Sequence, residues 1–275
     1  MTMRMPAYLR SILGAAAFSA ALALLTRLAL EPGKPAQPPD PDSSLEITVP
    51  PGAVVDTLIL PRLSPELKAA LASFSGLRYL ALGDSFTAGQ GVKADERYPT
   101  LLVRRLRNGG VKIEEPVLVT RTGWTSADLL QELAAHPPKG TFDLVTLLVG
   151  VNDQYRGRKP EDYRALYRDL LRRAVELVGG DASRVIALSL PDWGASPYAG
   201  TFDRALIGAQ IDAYNHAIRE EAAAAGTRYV DITPLSREAL KDESLAGPDR
   251  LHPSARQHAA WTDLLQPEAL AALGQ

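Results

Sequence analysis

From Leu77 to the C-terminus, five short apolar runs alternate with stretches of helical periodicity, and no other feature constrains the fold as much. The runs are Leu77–Leu82, Val117–Thr120, Leu144–Val149, Val185–Leu190 and Tyr229–Ile232. Each is almost continuously apolar, which is expected of parallel strands covered by helices on both faces. Between two of them, Tyr163, Leu166, Tyr167, Leu170, Leu171, Ala174, Val175 and Val178 trace one apolar stripe at helical spacing. Further helices are predicted from about Arg204 to Ala225 and from Pro253 to about Leu265, with Pro253 suited to a first helical position. The expected fold class is α/β.

In such sheets the working residues gather at the carboxyl ends of the strands. The polar residues of this chain obey that rule. Gly83-Asp84-Ser85-Phe86 follows the first run, Arg121-Thr122-Gly123-Trp124 the second, and Gly150-Val151-Asn152-Asp153 the third. Beyond the fifth, Asp249-Arg250-Leu251-His252-Pro253 opens the last predicted helix. The chain has four histidines, His136, His216, His252 and His258, and no cysteine, so disulfides, thiolate metal sites and a cysteine nucleophile are excluded. A formal net charge of -2 leaves no basic footprint for nucleic acid. Gly89-Gln90-Gly91 lacks the further glycine of a dinucleotide loop and reads as a flexible loop.

These ordered blocks resemble those of the SGNH/GDSL hydrolases, a family named for a Ser, a Gly, an Asn and a His in four successive blocks. The likeness runs from about Leu77 to Leu265, with Phe86 where the family usually carries Leu. It implies a flavodoxin-like three-layer α/β/α sandwich around a five-stranded parallel sheet, and hydrolysis of a carboxylic ester without cofactor or metal. A serine hydroxyl needs an adjacent base, a role that falls to His252, with Asp249 holding the other ring nitrogen in the right tautomer. The oxyanion donors are assigned to the Ser85 and Gly123 backbone N–H groups and the Asn152 amide. Trp124, Tyr155 and Arg156 flank this site, either shaping substrate binding or lining the sheet edge. Asp84 and Asp153 are expected to bond loop backbone. His258 is expected to be an exposed or packing residue, His136 a loop residue and His216 a helix-face residue.

The resemblance allows a lipid or lysophospholipid ester, or an O-acetyl group on a cell-envelope sugar. An acyl or acetyl transferase acting on cell-envelope carbohydrate and a non-catalytic binding module are the alternatives. Four intact blocks disfavour the module, which needs no base beside its serine.

The N-terminal quarter reads differently. Within residues 1–30, Arg4 and Arg10 precede an uncharged Ala- and Leu-rich run from Ser11 to Thr26. This is the layout of a secretory signal or a retained membrane anchor, and it predicts a periplasmic or extracellular domain. Residues 31–42 form a Pro-rich linker. Residues 43–75, with a helix start at Ser64-Pro65-Glu66, are expected to pack on the hydrolase domain of residues 76–275 as scaffolding.

Overall fold

The computed structural model describes residues 76–275. The predicted signal or anchor, the Pro-rich linker and the Ser64 helix start lie outside the described residues. Among the described residues, no helix is long and apolar enough to cross a membrane.

Five parallel strands form one sheet: β1 (Tyr79–Gly83), β2 (Val117–Thr120), β3 (Leu144–Leu148), β4 (Val185–Leu188) and β5 (Arg228–Val230). Their order is β2-β1-β3-β4-β5, the flavodoxin-like arrangement. Every predicted run therefore overlaps a strand, with β1 running one residue past its run to Gly83 and β5 starting one residue early at Arg228. Leu77 falls just before β1 and makes an isolated parallel bridge to Ile113 instead. The central strands β1, β3 and β4 are wholly buried, whereas the edge strands β2 and β5 are partly open. Full burial of each Leu, Ile or Val in those central strands contributes roughly 1.5–3 kcal/mol. The one buried polar side chain among them, Thr146, is satisfied by the Tyr79 hydroxyl at 2.7 Å.

Two helix groups sandwich this sheet. Helix α2 (Tyr98–Asn108), which follows the short α1 (Ser85–Ala88), packs against the C-terminal helix α8 (Ala255–Ala272). Helix α5 (Pro160–Leu177) packs against α3 (Ser126–Ala135) and α6 (Arg204–Ala225), and a short α7 (Thr233–Arg237) follows β5. Right-handed crossovers explain the division. The chain moves one way from β1 to β2 and the other way from β2 to β3, so successive helices switch faces there. That reversal leaves a crevice at the carboxyl ends of β1 and β3, the usual place for a ligand.

Two sequence expectations need correction at α8. Pro253 is not its first residue: it sits in an antiparallel bridge with Ala246, and Ser254 is the N-cap. The helix also runs past Leu265 to Ala272, with Pro267 inside it. Proline there removes one backbone donor, and the carbonyl four residues earlier belongs to Asp263, whose side chain is largely in water and pairs with Arg105. Water can satisfy that carbonyl, so the helix continues.

Candidate active site

The turn after β1 builds the centre of the site. Asp84 caps α1, its Oδ1 accepting the Phe86 N–H at 2.9 Å, and Gly89 ends the helix in the left-handed region. One short helical turn thus holds Ser85 rigidly at the strand end, nearly buried at 4% exposure.

From the other end of the chain, the loop before α8 brings His252 to it. His252 Nε2 lies 2.8 Å from Ser85 Oγ, and His252 Nδ1 lies 2.6 Å from Asp249 Oδ2. The second oxygen of Asp249 accepts the backbone N–H groups of Leu251 at 3.0 Å and His252 at 2.9 Å. Wrapping the loop around one carboxylate forces Arg250 to φ 63°, the one non-glycine in the left-handed region among the described residues. Such a residue costs on the order of 1–3 kcal/mol and persists only where surrounding bonds hold it. Here Arg250 N–H donates to the Gly247 carbonyl, and its own carbonyl accepts the Tyr198 N–H, each at 2.9 Å. Burial acts to raise the Asp249 pKa, but the bonds from the His252 and Leu251 N–H groups and the imidazole outweigh it and hold the carboxyl below its ordinary value. Asp249 is therefore an anion at neutral pH, as a group orienting a histidine must be.

Gly123 and Asn152 reach the same place from β2 and β3. Gly123 adopts φ 83°, a conformation a side chain would strain, and its carbonyl accepts Arg156 Nη2 at 2.8 Å. Asn152 follows Gly150, where a Cβ would meet the Tyr163 ring at 2.7 Å. One N–H of the Asn152 amide is committed to the Trp124 carbonyl at 2.9 Å. The amide makes a second, longer bond to Asp84 Oδ2 at 3.4 Å, the weaker of the two and the one a ligand oxygen can displace. Asn152→Ala is expected to lower kcat by on the order of 10²–10³ with its urea midpoint little changed, as loss of one oxyanion donor does. A kcat within a factor of two of wild type would remove Asn152 from the oxyanion site.

Ser85, Gly123, Asn152 and His252 all line one cavity of about 270 Å³, together with Phe86, Gln90, Thr122, Val151, Tyr155, Trp193, Tyr198 and Leu251. Of the three flanking residues singled out in sequence, only Tyr155 lines it. Trp124 packs its indole on the core and contributes its carbonyl. Arg156 is the C-cap of α4 (Val151–Tyr155), outside the lining, and donates to the Gly123 carbonyl. Trp193 and Tyr198 were missed. Their signal was Pro191-Asp192-Trp193-Gly194, which follows β4 as the other blocks follow their strands.

The remaining acids and histidines have structural surroundings. Asp153 accepts the Ser126 N–H at 2.8 Å and Arg158 Nε at 2.8 Å. His258 is buried rather than exposed: its Nδ1 accepts the Tyr98 N–H at 3.3 Å, and burial lowers its pKa to about 3. His136 ends α3 and His216 lies on α6, both exposed. Burial, reinforced by the nearby Asp153 and opposed by the bond to Phe86, pushes Asp84 up to about 7. The folded state therefore holds the Asp84 proton more tightly than the unfolded chain. The linked stability is full below the ordinary carboxylate value of about 4 and is lost as pH rises towards 7. Between about pH 5 and pH 8, the urea midpoint of Asp84→Asn is expected to fall less than that of wild type. Identical slopes would contradict this.

The sequence model of the GDSL-like lipase/acylhydrolase family matches residues 81–260, well over half of the chain. No curated protein matches by sequence. Among solved structures, TesA is 23% identical with a TM-score of 0.57, covering 71% of this chain and 99% of its own. Axe2, an acetylxylan esterase from Geobacillus stearothermophilus, is 21% identical with a TM-score of 0.54, covering 73% and 95%. The psychrotrophic esterase EstA from Pseudoalteromonas sp., inhibited by monoethylphosphonate, is 16% identical with a TM-score of 0.54, covering 72% and 99%. These likenesses carry the fold, and the family match carries the relationship. The chain belongs to the GDSL-like lipase/acylhydrolase family and is a carboxylic ester hydrolase of the SGNH/GDSL type.

Proposed function

We propose that the protein hydrolyses its ester through an acyl-enzyme formed on Ser85. The observation that carries this reading is the unbroken line from Asp249 through His252 to Ser85, with bonds of 2.6 and 2.8 Å, opening into a cavity. His252 Nε2 takes the Ser85 proton as Oγ attacks the ester carbonyl carbon. The oxygen that becomes negative is held by the Ser85 and Gly123 N–H groups and by the Asn152 amide, which gives up its long bond to Asp84. As the C–O bond to the alcohol breaks, the imidazolium returns its proton to the leaving oxygen. Water, deprotonated by His252, then attacks the acyl-serine carbonyl, and the imidazolium returns the proton to Ser85 Oγ as the C–Oγ bond breaks and the acid leaves. Asp249 stays ionised throughout and stabilises the imidazolium.

Lipid or lysophospholipid esters and O-acetyl esters of cell-envelope sugars are the two substrate classes proposed. Export, by a cleaved signal or a retained anchor, is supported by the arginine-flanked apolar run in residues 1–30. A screen of acetyl, short-chain, long-chain and lysophospholipid esters, run with a competing sugar alcohol, tests the reading. Free acid as the main product supports hydrolysis. Acyl transfer to the alcohol as the main product would replace hydrolysis with a transferase reaction.

A further inference from the structure

The loop after β4 supplies a feature that ester hydrolysis alone does not require. Trp193 is buried, and its Nε1 donates to Gln154 Oε1 at 2.7 Å, which fixes the indole in place. Three further rings are arranged around it. Tyr155 and Phe202 meet it edge-on at 5.5 and 5.2 Å, and Tyr198 lies 6.3 Å away, stacked on Phe202 at 5.8 Å. These outer rings are open to solvent: Tyr155 is 55%, Tyr198 43% and Phe202 42% exposed. Rigidly held aromatic surface left uncovered in this way marks a recognition site. Its position says for what. Tyr155, Trp193 and Tyr198 line the cavity of Ser85 and His252, and Phe202 continues the surface outward. The Tyr198 N–H bond to the Arg250 carbonyl ties this ledge to the loop carrying Asp249 and His252.

The cavity of about 270 Å³ falls just below the roughly 300–1,000 Å³ that encloses a drug-sized ligand. A long-chain ester, its acyl and alcohol parts together, therefore extends out of it. Along the ledge it meets few polar partners. Phe202 has none, and Tyr155 and Tyr198 each offer a single hydroxyl. Of the polar side chains in the lining, Gln90 and Thr122 come from the segments after β1 and β2, and Asn152 stands on α4 three residues before Tyr155. A hydrocarbon chain laid along these exposed rings removes apolar surface from water on both sides and requires no donor.

We propose that Tyr155, Tyr198 and Phe202 form an extended subsite for the hydrocarbon chain of a fatty-acyl ester, making medium- and long-chain esters better substrates than acetyl esters. This rests on the reading of Ser85 as the acylated residue.

The test is kcat/KM of the full-length protein across p-nitrophenyl esters from acetyl to dodecanoyl, each kept below its micelle concentration. Over the part of the series that crosses the ledge, wild type is expected to gain up to about fourfold per methylene, the equivalent of ~0.8 kcal/mol. Phe202→Gln and Tyr198→Gln are each expected to lower the decanoyl-to-acetyl ratio at least about tenfold, while Phe202→Leu, which keeps apolar surface, largely restores it. Two variants at exposed positions guard against one that fails to fold. A flat wild-type series, a ratio unchanged in both Gln variants, or faster turnover of an acetylated sugar would each overturn the subsite and leave the hydrolase reading standing. Turnover that survives Ser85→Ala, or no hydrolysis of any ester, would overturn both.

Discussion

Ser85→Ala is expected to lower kcat on a short-chain aryl ester by on the order of 10⁶, and His252→Ala by a similar amount. The double variant is expected to be no worse than either single one. The reason is the 2.8 Å contact between Ser85 Oγ and His252 Nε2: the hydroxyl is a poor nucleophile without the base, and the base has no proton to take without the hydroxyl. The residual rate over water would come from substrate binding and the oxyanion donors, which neither substitution removes. Steady-state kinetics of the three variants checks this. Losses that multiply in the double variant would mean that the two residues act in separate steps.

Asp249→Asn is expected to cost on the order of 10⁴ in kcat while leaving the fold intact. The two oxygens of this carboxylate have separate tasks. Oδ1 receives the backbone N–H groups of Leu251 and His252, and an amide oxygen can continue to do so. Oδ2 faces His252 Nδ1, where an amide nitrogen would donate instead of accept. The imidazole proton would then move to Nε2, and that nitrogen could no longer accept from Ser85. An unchanged urea midpoint with a collapsed rate separates this tautomer effect from a loop that has come apart. A rate near wild type would mean that a different acid orients His252.

The sheet is legible in the sequence because buried parallel strands are continuous apolar runs, and the five runs lie where β1 to β5 form. The blocks that follow three of those strands, together with Asp249 and His252, can be named for the same reason: the fold sends strand ends to one crevice. What stays hidden depends on contacts between distant parts of the chain. Nothing local in Arg250 announces its left-handed backbone, which follows from Asp249 turning its side chain onto the two N–H groups beyond it. Trp124 and Arg156 have the composition of substrate-binding residues, but the amide of Asn152 needs the carbonyl of one and the Gly123 peptide takes the guanidinium of the other. His258 sits in α8 at a position that could face either way, and only the packing of α2 against α8 buries it. The aromatic ledge is assembled from rings on α4 and the loop after β4, which lie close in space and some 40 residues apart in sequence.

The central claim is that Ser85 becomes covalently acylated, and a phosphonate that cannot turn over captures that step. Treatment of the full-length protein with an aryl alkylphosphonate, followed by peptide mass mapping, should place a single adduct on the peptide containing Ser85. Labelling should slow sharply in His252→Ala and be absent in Ser85→Ala. An adduct on another residue, or labelled protein that retains full esterase activity, would contradict the account.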